Sequence, residues 1–86
     1  MNYILAIFKS RSSTLNFAQL LKSYNIPVAI INTPQSLGRG TCGISVKFLS
    51  EYFSQVQTLI SRISLNNFEG FYSYVARGGK YSLFKL

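Results

Sequence analysis

Cys42 is the one cysteine in the chain, and its setting gives it the best claim to chemistry. It lies in the loop Thr33-Pro34-Gln35-Ser36-Leu37-Gly38-Arg39-Gly40-Thr41-Cys42-Gly43, which leads into Ile44-Ser45-Val46-Lys47-Phe48. Gly38, Gly40 and Gly43 fall within six residues. Glycines so spaced let backbone amides converge on one point, as in an anion-binding nest. Arg39 inside the loop and Lys47 after it add positive potential, and such surroundings favour a thiolate nucleophile. The competing reading is packing, because unpaired cysteine is among the most buried residue types. Residue types alone leave both readings open.

The same segment spells G-x-G-x-x-G from Gly38 to Gly43. A dinucleotide fingerprint needs a strand before it and a helix after it, with an acidic residue further on for a ribose. Here a strand-patterned segment follows and no acid lies near position 63, so the match is one of spelling. Nor does a Gly-Lys-Ser/Thr close a phosphate loop.

What is missing narrows the chemistry further. The chain has no histidine and no aspartate, and its two acids are Glu51 and Glu69. A Ser-His-Asp triad, a Cys-His pair, a zinc site or a carboxylate cage for a metal cannot be assembled from these residues. A two-carboxylate mechanism would need both glutamates. Glu51 reads instead as a first-turn helix residue, and Glu69 as a loop residue. The expectation is a carrier or binding protein with little turnover of its own, needing neither metal nor cofactor.

With 86 residues, the length predicts one domain spanning 1–86. A hydrophobic fraction of 48% argues for a folded globule rather than disorder. No apolar run approaches the roughly 18 residues that span a bilayer. The run Tyr3 to Phe8 is too short for a secretory signal, and its basic residues follow it rather than precede it. A lone cysteine forms no internal disulfide, and together these features predict a cytoplasmic protein. The formal charge of +7 invites an anionic partner such as nucleic acid, a membrane surface or an acidic protein, although scarcity of acids alone makes a chain basic.

The elements that must position the loop follow from the pattern. Tyr3 to Phe8 predicts a buried central strand. Ser10, Ser12, Ser13 and Thr14 can cap a helix, and Leu15, Phe17, Ala18, Leu20, Leu21 and Tyr24 give it an apolar stripe over about 13–24. Asn25 and Pro27 end it. Val28 to Asn32 is a second strand, and Ile44 to Leu49 alternates as a third. Ser50 is a ready cap, with Glu51 at the positive end of a helix marked by Phe53, Val56, Leu59, Ile60 and Ile63. Asn66-Asn67 closes that helix, and Phe71 to Ala76 is a fourth strand. Arg77-Gly78-Gly79-Lys80 is a tight hairpin turn, and Tyr81 to Leu86 an edge strand. The order β-α-β-β-α-β with a terminal hairpin strand is the α+β ferredoxin-like arrangement. Right-handed crossovers then put both helices on one face of an antiparallel sheet, and leave the other face open unless a partner covers it.

Over essentially its whole length the chain resembles the small bacterial family described as "putative selenium/sulfur carrier protein-like". The matching features are Tyr3-Ile4-Leu5-Ala6-Ile7-Phe8, Ser13-Thr14, Leu20-Leu21-Lys22, Asn25-Ile26-Pro27-Val28 and Asn32-Thr33-Pro34. The most specific is Thr41-Cys42-Gly43-Ile44 with Lys47-Phe48, and Phe68-Glu69-Gly70-Phe71-Tyr72 follows. The resemblance implies that Cys42 carries sulfur or selenium as a persulfide or selenopersulfide between a donor and an acceptor protein. Arg39, Gly40, Thr41, Gly43 and Lys47 would be its supporting residues. This chain departs from the family in being strongly basic, and in having Gly38-Arg39-Gly40 where a more serine-like run is expected.

Two other readings stand beside this one. Tyr72, Tyr74, Tyr81 and Phe84 interleave with Arg77, Lys80 and Lys85, a composition suited to nucleic acid on an open sheet face. The RNP1 pattern is absent from Gly43 to Phe48, and strands are rich in aromatics anyway. Alternatively, the open face makes a homo-oligomer.

Overall fold

The computed structural model describes residues 2–37, 41–62 and 67–86. Ile63 and Asn66, expected to end the second helix, lie outside these, as do Gly38, Arg39 and Gly40 of the loop. The elements run β1 (Tyr3–Phe8), α1 (Arg11–Ser23), β2 (Val28–Asn32), β3 (Ile44–Leu49), α2 (Phe53–Ser61), β4 (Phe68–Arg77) and β5 (Lys80–Lys85). Short 3-10 turns at Gln35–Leu37 and Ser50–Tyr52 precede β3 and α2. The fold is α+β: five strands in the order β2-β3-β1-β4-β5, every neighbouring pair antiparallel.

β1 is central, as its unbroken apolar run predicts, and Ile4 to Phe8 are all buried. Alternation sends Ile4, Ala6 and Phe8 to one face, where they meet Phe17, Ala18 and Leu21 of α1, Val56 and Leu59 of α2, Val46 and Phe48 of β3, and Phe71 of β4. Six phenylalanines knit this cluster together. Phe8 meets Phe17 and Phe68, and Phe71 meets Phe48, Phe53 and Phe68, with centroids 5.0–6.2 Å apart in tilted or edge-to-face pairs.

Helix α1 begins earlier than its stripe suggests, because Ser10 is the cap and its Oγ accepts from the Ser13 amide at 3.3 Å. The buried stripe is Thr14, Phe17, Ala18 and Leu21. Leu15 and Tyr24, expected on it, are exposed, and a threonine takes the first place. The helix stops at Asn25, which is left-handed at φ 62. The amides of Asn25 and Ile26 bond to the carbonyls of Lys22 and Leu21. Leu21 and Ile26 are both buried, which completes a Schellman ending with its apolar contact. Ser50 does not cap α2. Its backbone amide is tied to Asn2 at 3.1 Å, and a 3-10 turn intervenes, so α2 starts at Phe53 with no side-chain cap.

β4 is longer than expected, and Glu69 lies inside it rather than in a loop. The reason is local. Pairing with β1 shifts register between Ile7 and Phe8, so that Gly70 faces Ile7 and Phe68 faces Phe8. Such a bulge lets the strand begin before the regular alternation does. Gly70 sits at φ +135, and a Cβ there would lie 3.3 Å from Cε of Lys85, whose stem crosses the position. The hairpin turn at Gly78-Gly79 has positive φ at both residues and pairs Arg77 with Lys80, as its glycines predict. Gly70→Ala therefore combines a strained backbone with a displaced lysine. It should destabilise the fold by about 1–3 kcal/mol in urea unfolding, and an unchanged midpoint would contradict this account of the bulge.

Candidate functional site

Cys42 is placed by β1 and by the first turn of α1. Its amide donates to the carbonyl of Phe8, the last residue of β1, at 3.2 Å. The next residue, Gly43, has φ +88, which a side chain would strain although no atom lies close enough to crowd a Cβ. That kink lets the Gly43 carbonyl accept from Thr33 at 2.9 Å, so the β2–β3 ladder closes just beyond the cysteine. Below it, the Thr33 and Ser45 hydroxyls lie 2.6 Å apart, which satisfies the fully buried Ser45.

Cys42 is half-buried as a residue and does not belong to the apolar cluster. Its sulfur lies 3.2 Å from Oγ1 of Thr14 and donates to the carbonyl of Ile44 at 3.4 Å. Thr14 Oγ1 also donates to the Ser10 carbonyl at 2.9 Å. Each group has one hydrogen, so the arrangement is switchable. With the thiol hydrogen on Ile44, the Thr14 hydroxyl can turn from Ser10 toward the sulfur. A thiolate has no hydrogen to give, and it gains Thr14 as a donor by drawing that hydroxyl off the Ser10 carbonyl, since the Ile44 carbonyl only accepts.

The residues expected around Cys42 are only partly brought together. The Thr41 hydroxyl accepts from the Gly43 amide at 3.3 Å, which shapes the turn. The amides of Cys42 and Gly43 are thus both engaged within the chain rather than turned to a shared anion. Arg39 and Gly40 fall outside the described residues. Lys47 is placed elsewhere: its register partner on β1 is Leu5, about 10 Å along the strand from Phe8. It points away from the helices, and its Nζ lies 4.5 Å from the centroid of the Tyr3 ring. With Tyr3, Pro27 and Leu49 it lines a cavity of about 380 Å³ at the opposite end of β1 from the cysteine. Nearer the loop, Ile7, Ser36, Leu37, Thr41, Glu69 and Tyr72 line one of about 230 Å³. Glu69 is paired there with Lys9 at 3.1 Å, an exposed contact of little energetic weight.

Thr14 is the residue that pattern reading took only for a helix start. A signal for more was present: Thr14, Phe17, Ala18 and Leu21 are spaced i, i+3, i+4, i+7, so the hydroxyl had to face inward and find a partner. Among the described residues no group of three or more His, Cys, Asp or Glu side chains gathers as a metal site. No helix among them is long and apolar enough to cross a membrane. If Thr14 is the sulfur's hydroxyl donor, Thr14→Val should slow alkylation of Cys42 by about fivefold, the worth of one ordinary hydrogen bond. Thr14→Ser should restore the rate, and equal rates in all three proteins would remove Thr14 from the site.

Comparison with known proteins agrees with the resemblance seen in the sequence. No curated protein and no solved structure matches the chain. Residues 3–73 match the model of one family, a span that includes Cys42 and its loop and stops within β4. The chain belongs to the family described as "Putative Se/S carrier protein-like".

Proposed function

We propose that the protein carries sulfur or selenium on Cys42, accepting it from a donor protein as a persulfide or selenopersulfide and passing it to an acceptor. Family membership supports a carrier in general terms. The observation that carries the assignment is the setting of this residue, half-buried at the end of the central strand and outside the apolar cluster, with its sulfur within reach of a hydroxyl. A thiol kept only for packing belongs among aliphatic side chains, as Leu21 and Val46 are.

The step needs no oxidant. The Cys42 thiolate attacks the outer sulfur of the donor persulfide. A sulfur–sulfur bond forms on Cys42 as the donor's own breaks, and the donor sulfur leaves as a thiolate that takes up the proton Cys42 released. One persulfide replaces another, and delivery to the acceptor repeats the exchange. In this reading Thr14 steadies the sulfur by its hydroxyl, and Thr41 and Gly43 hold the turn. Arg39 and Gly40 complete the loop that meets the donor. Lys47, on the far face, adds only to the positive field that draws an anionic partner. A reducing cytoplasm suits a thiol that must be regenerated after each delivery. The strand order β2-β3-β1-β4, with α1 and α2 contributing to one cluster, supports a single ferredoxin-like domain extended by β5.

Incubation with a cysteine desulfurase and free cysteine should add one sulfur atom to the intact mass, removable by thiol reductant and absent in Cys42→Ser. Failure to load under conditions where another sulfur carrier does would overturn the proposal.

A further inference from the structure

The sheet face turned away from the helices is not uniformly open. Leu5 and Ile7 point into it and are nonetheless fully buried. Ser36, Leu37 and Thr41 lie against Ile7, where they share the smaller cavity with Tyr72. What stays accessible is the part built on β4 and β5. The register sets a row across four strands: Lys47, Leu5, Tyr72 and Lys85. Its end residues are about 14 Å apart, three strand spacings. The adjacent row sets Tyr3 against Tyr74 and Tyr74 against Leu83. Tyr81 reaches back to stack on Tyr74, with centroids 5.4 Å apart and planes 25° from parallel.

We propose that this face, with Tyr72 in the row between Lys47 and Lys85 and the stacked Tyr74 and Tyr81 beside it, binds single-stranded nucleic acid. Three features select that occupant. Planar rings on a sheet offer stacking surfaces that unpaired bases use whatever their sequence. Tyr81, 46% exposed, is the most open of the face's rings. Cations at both ends of the row, Lys47 and Lys85, match a phosphate chain, whereas Arg77 and Lys80 line the opposite face with Phe84. The carboxylate bordering the face, Glu69, is neutralised by Lys9. An acidic peptide would use the cations but would have no need of stacked tyrosines. A second copy pairing edge to edge through the full length of an antiparallel β5 would set Lys80 against Lys85, like charges directly opposed. Tyr74, Tyr81 and Lys85 also lie past Ser73, beyond the residues that match the family, so carriage of sulfur does not account for them.

The test is fluorescence anisotropy of the full chain with labelled oligo(U) and oligo(dT) of about ten nucleotides, a length within usual single-strand site sizes. Binding should weaken as salt rises, and Lys85→Gln should reduce the slope of log affinity against log salt by about 0.7. Tyr81→Leu should weaken binding about fivefold or more, whereas Tyr81→Phe, which keeps the ring, should retain it. Cys42→Ser should bind as the wild type does, so this result and sulfur loading stand or fall separately. The proposal is overturned if neither oligonucleotide binds at low salt or if Tyr81→Leu binds unchanged. Competition by polyglutamate as effective as by unlabelled oligonucleotide would assign the face to acidic proteins instead. A dimer by light scattering that Tyr81→Leu dissociates would assign it to a second copy.

Discussion

The hydrogen bond from the Cys42 amide to the Phe8 carbonyl joins the loop that carries the cysteine to the buried central strand. Phe8 ends a strand that is paired on both sides and buried from Ile4 onward, and its ring is held between Phe17 and Phe68. A thiol on a loop is ordinarily as mobile as the loop. Here the residue is pinned by its backbone to the central strand, and its sulfur is oriented by a hydroxyl from the first turn of α1. The capping of α1 by Ser10 thus bears on the surroundings of the sulfur, because it fixes where Thr14 stands.

The same strand divides the molecule into two faces with different tasks. Toward the helices, Ile4, Ala6 and Phe8 enter a cluster dense in aromatic contacts, which supplies the stability of the fold. Away from them, Leu5 and Ile7 are closed over by neighbouring side chains and by the segment leading to Cys42. The cysteine sits where these faces meet at the strand's end. Lys47 looks adjacent to the loop in sequence but belongs to the far face and the other end of the strand, over Tyr3. Sequence proximity of a cation to a thiol is therefore a poor guide when a strand separates them, since alternation decides the face and register the distance.

Much of this was legible in the residues, and the failures have physical causes. Strands β1 and β2 fall where their apolar runs predict, and the Gly78-Gly79 turn pairs its strands as two glycines should. The bulge at Gly70 was not visible, because nothing local distinguishes a bulge glycine from a loop glycine. The local pattern consequently places Glu69 in a loop, although it lies within β4. Ser50 carried every mark of a helix cap, yet its backbone is engaged by Asn2, a tertiary bond that no window around Ser50 contains. Size and apolarity alone put Leu15 and Tyr24 on the α1 stripe and keep the polar Thr14 off it, yet Thr14 is buried and the other two are exposed. Spacing, not hydrophobicity, gave the right answer there.

The central claim is that the folded protein presents Cys42 as an acceptor of sulfane sulfur. The most direct measurement is the rate at which a small-molecule persulfide loads Cys42 in the folded protein and in the same chain unfolded by urea. If the fold serves the chemistry, the folded protein loads at least as fast as the unfolded chain. If the thiol is only packing, loading appears on unfolding and is absent before it, and that result would contradict the account.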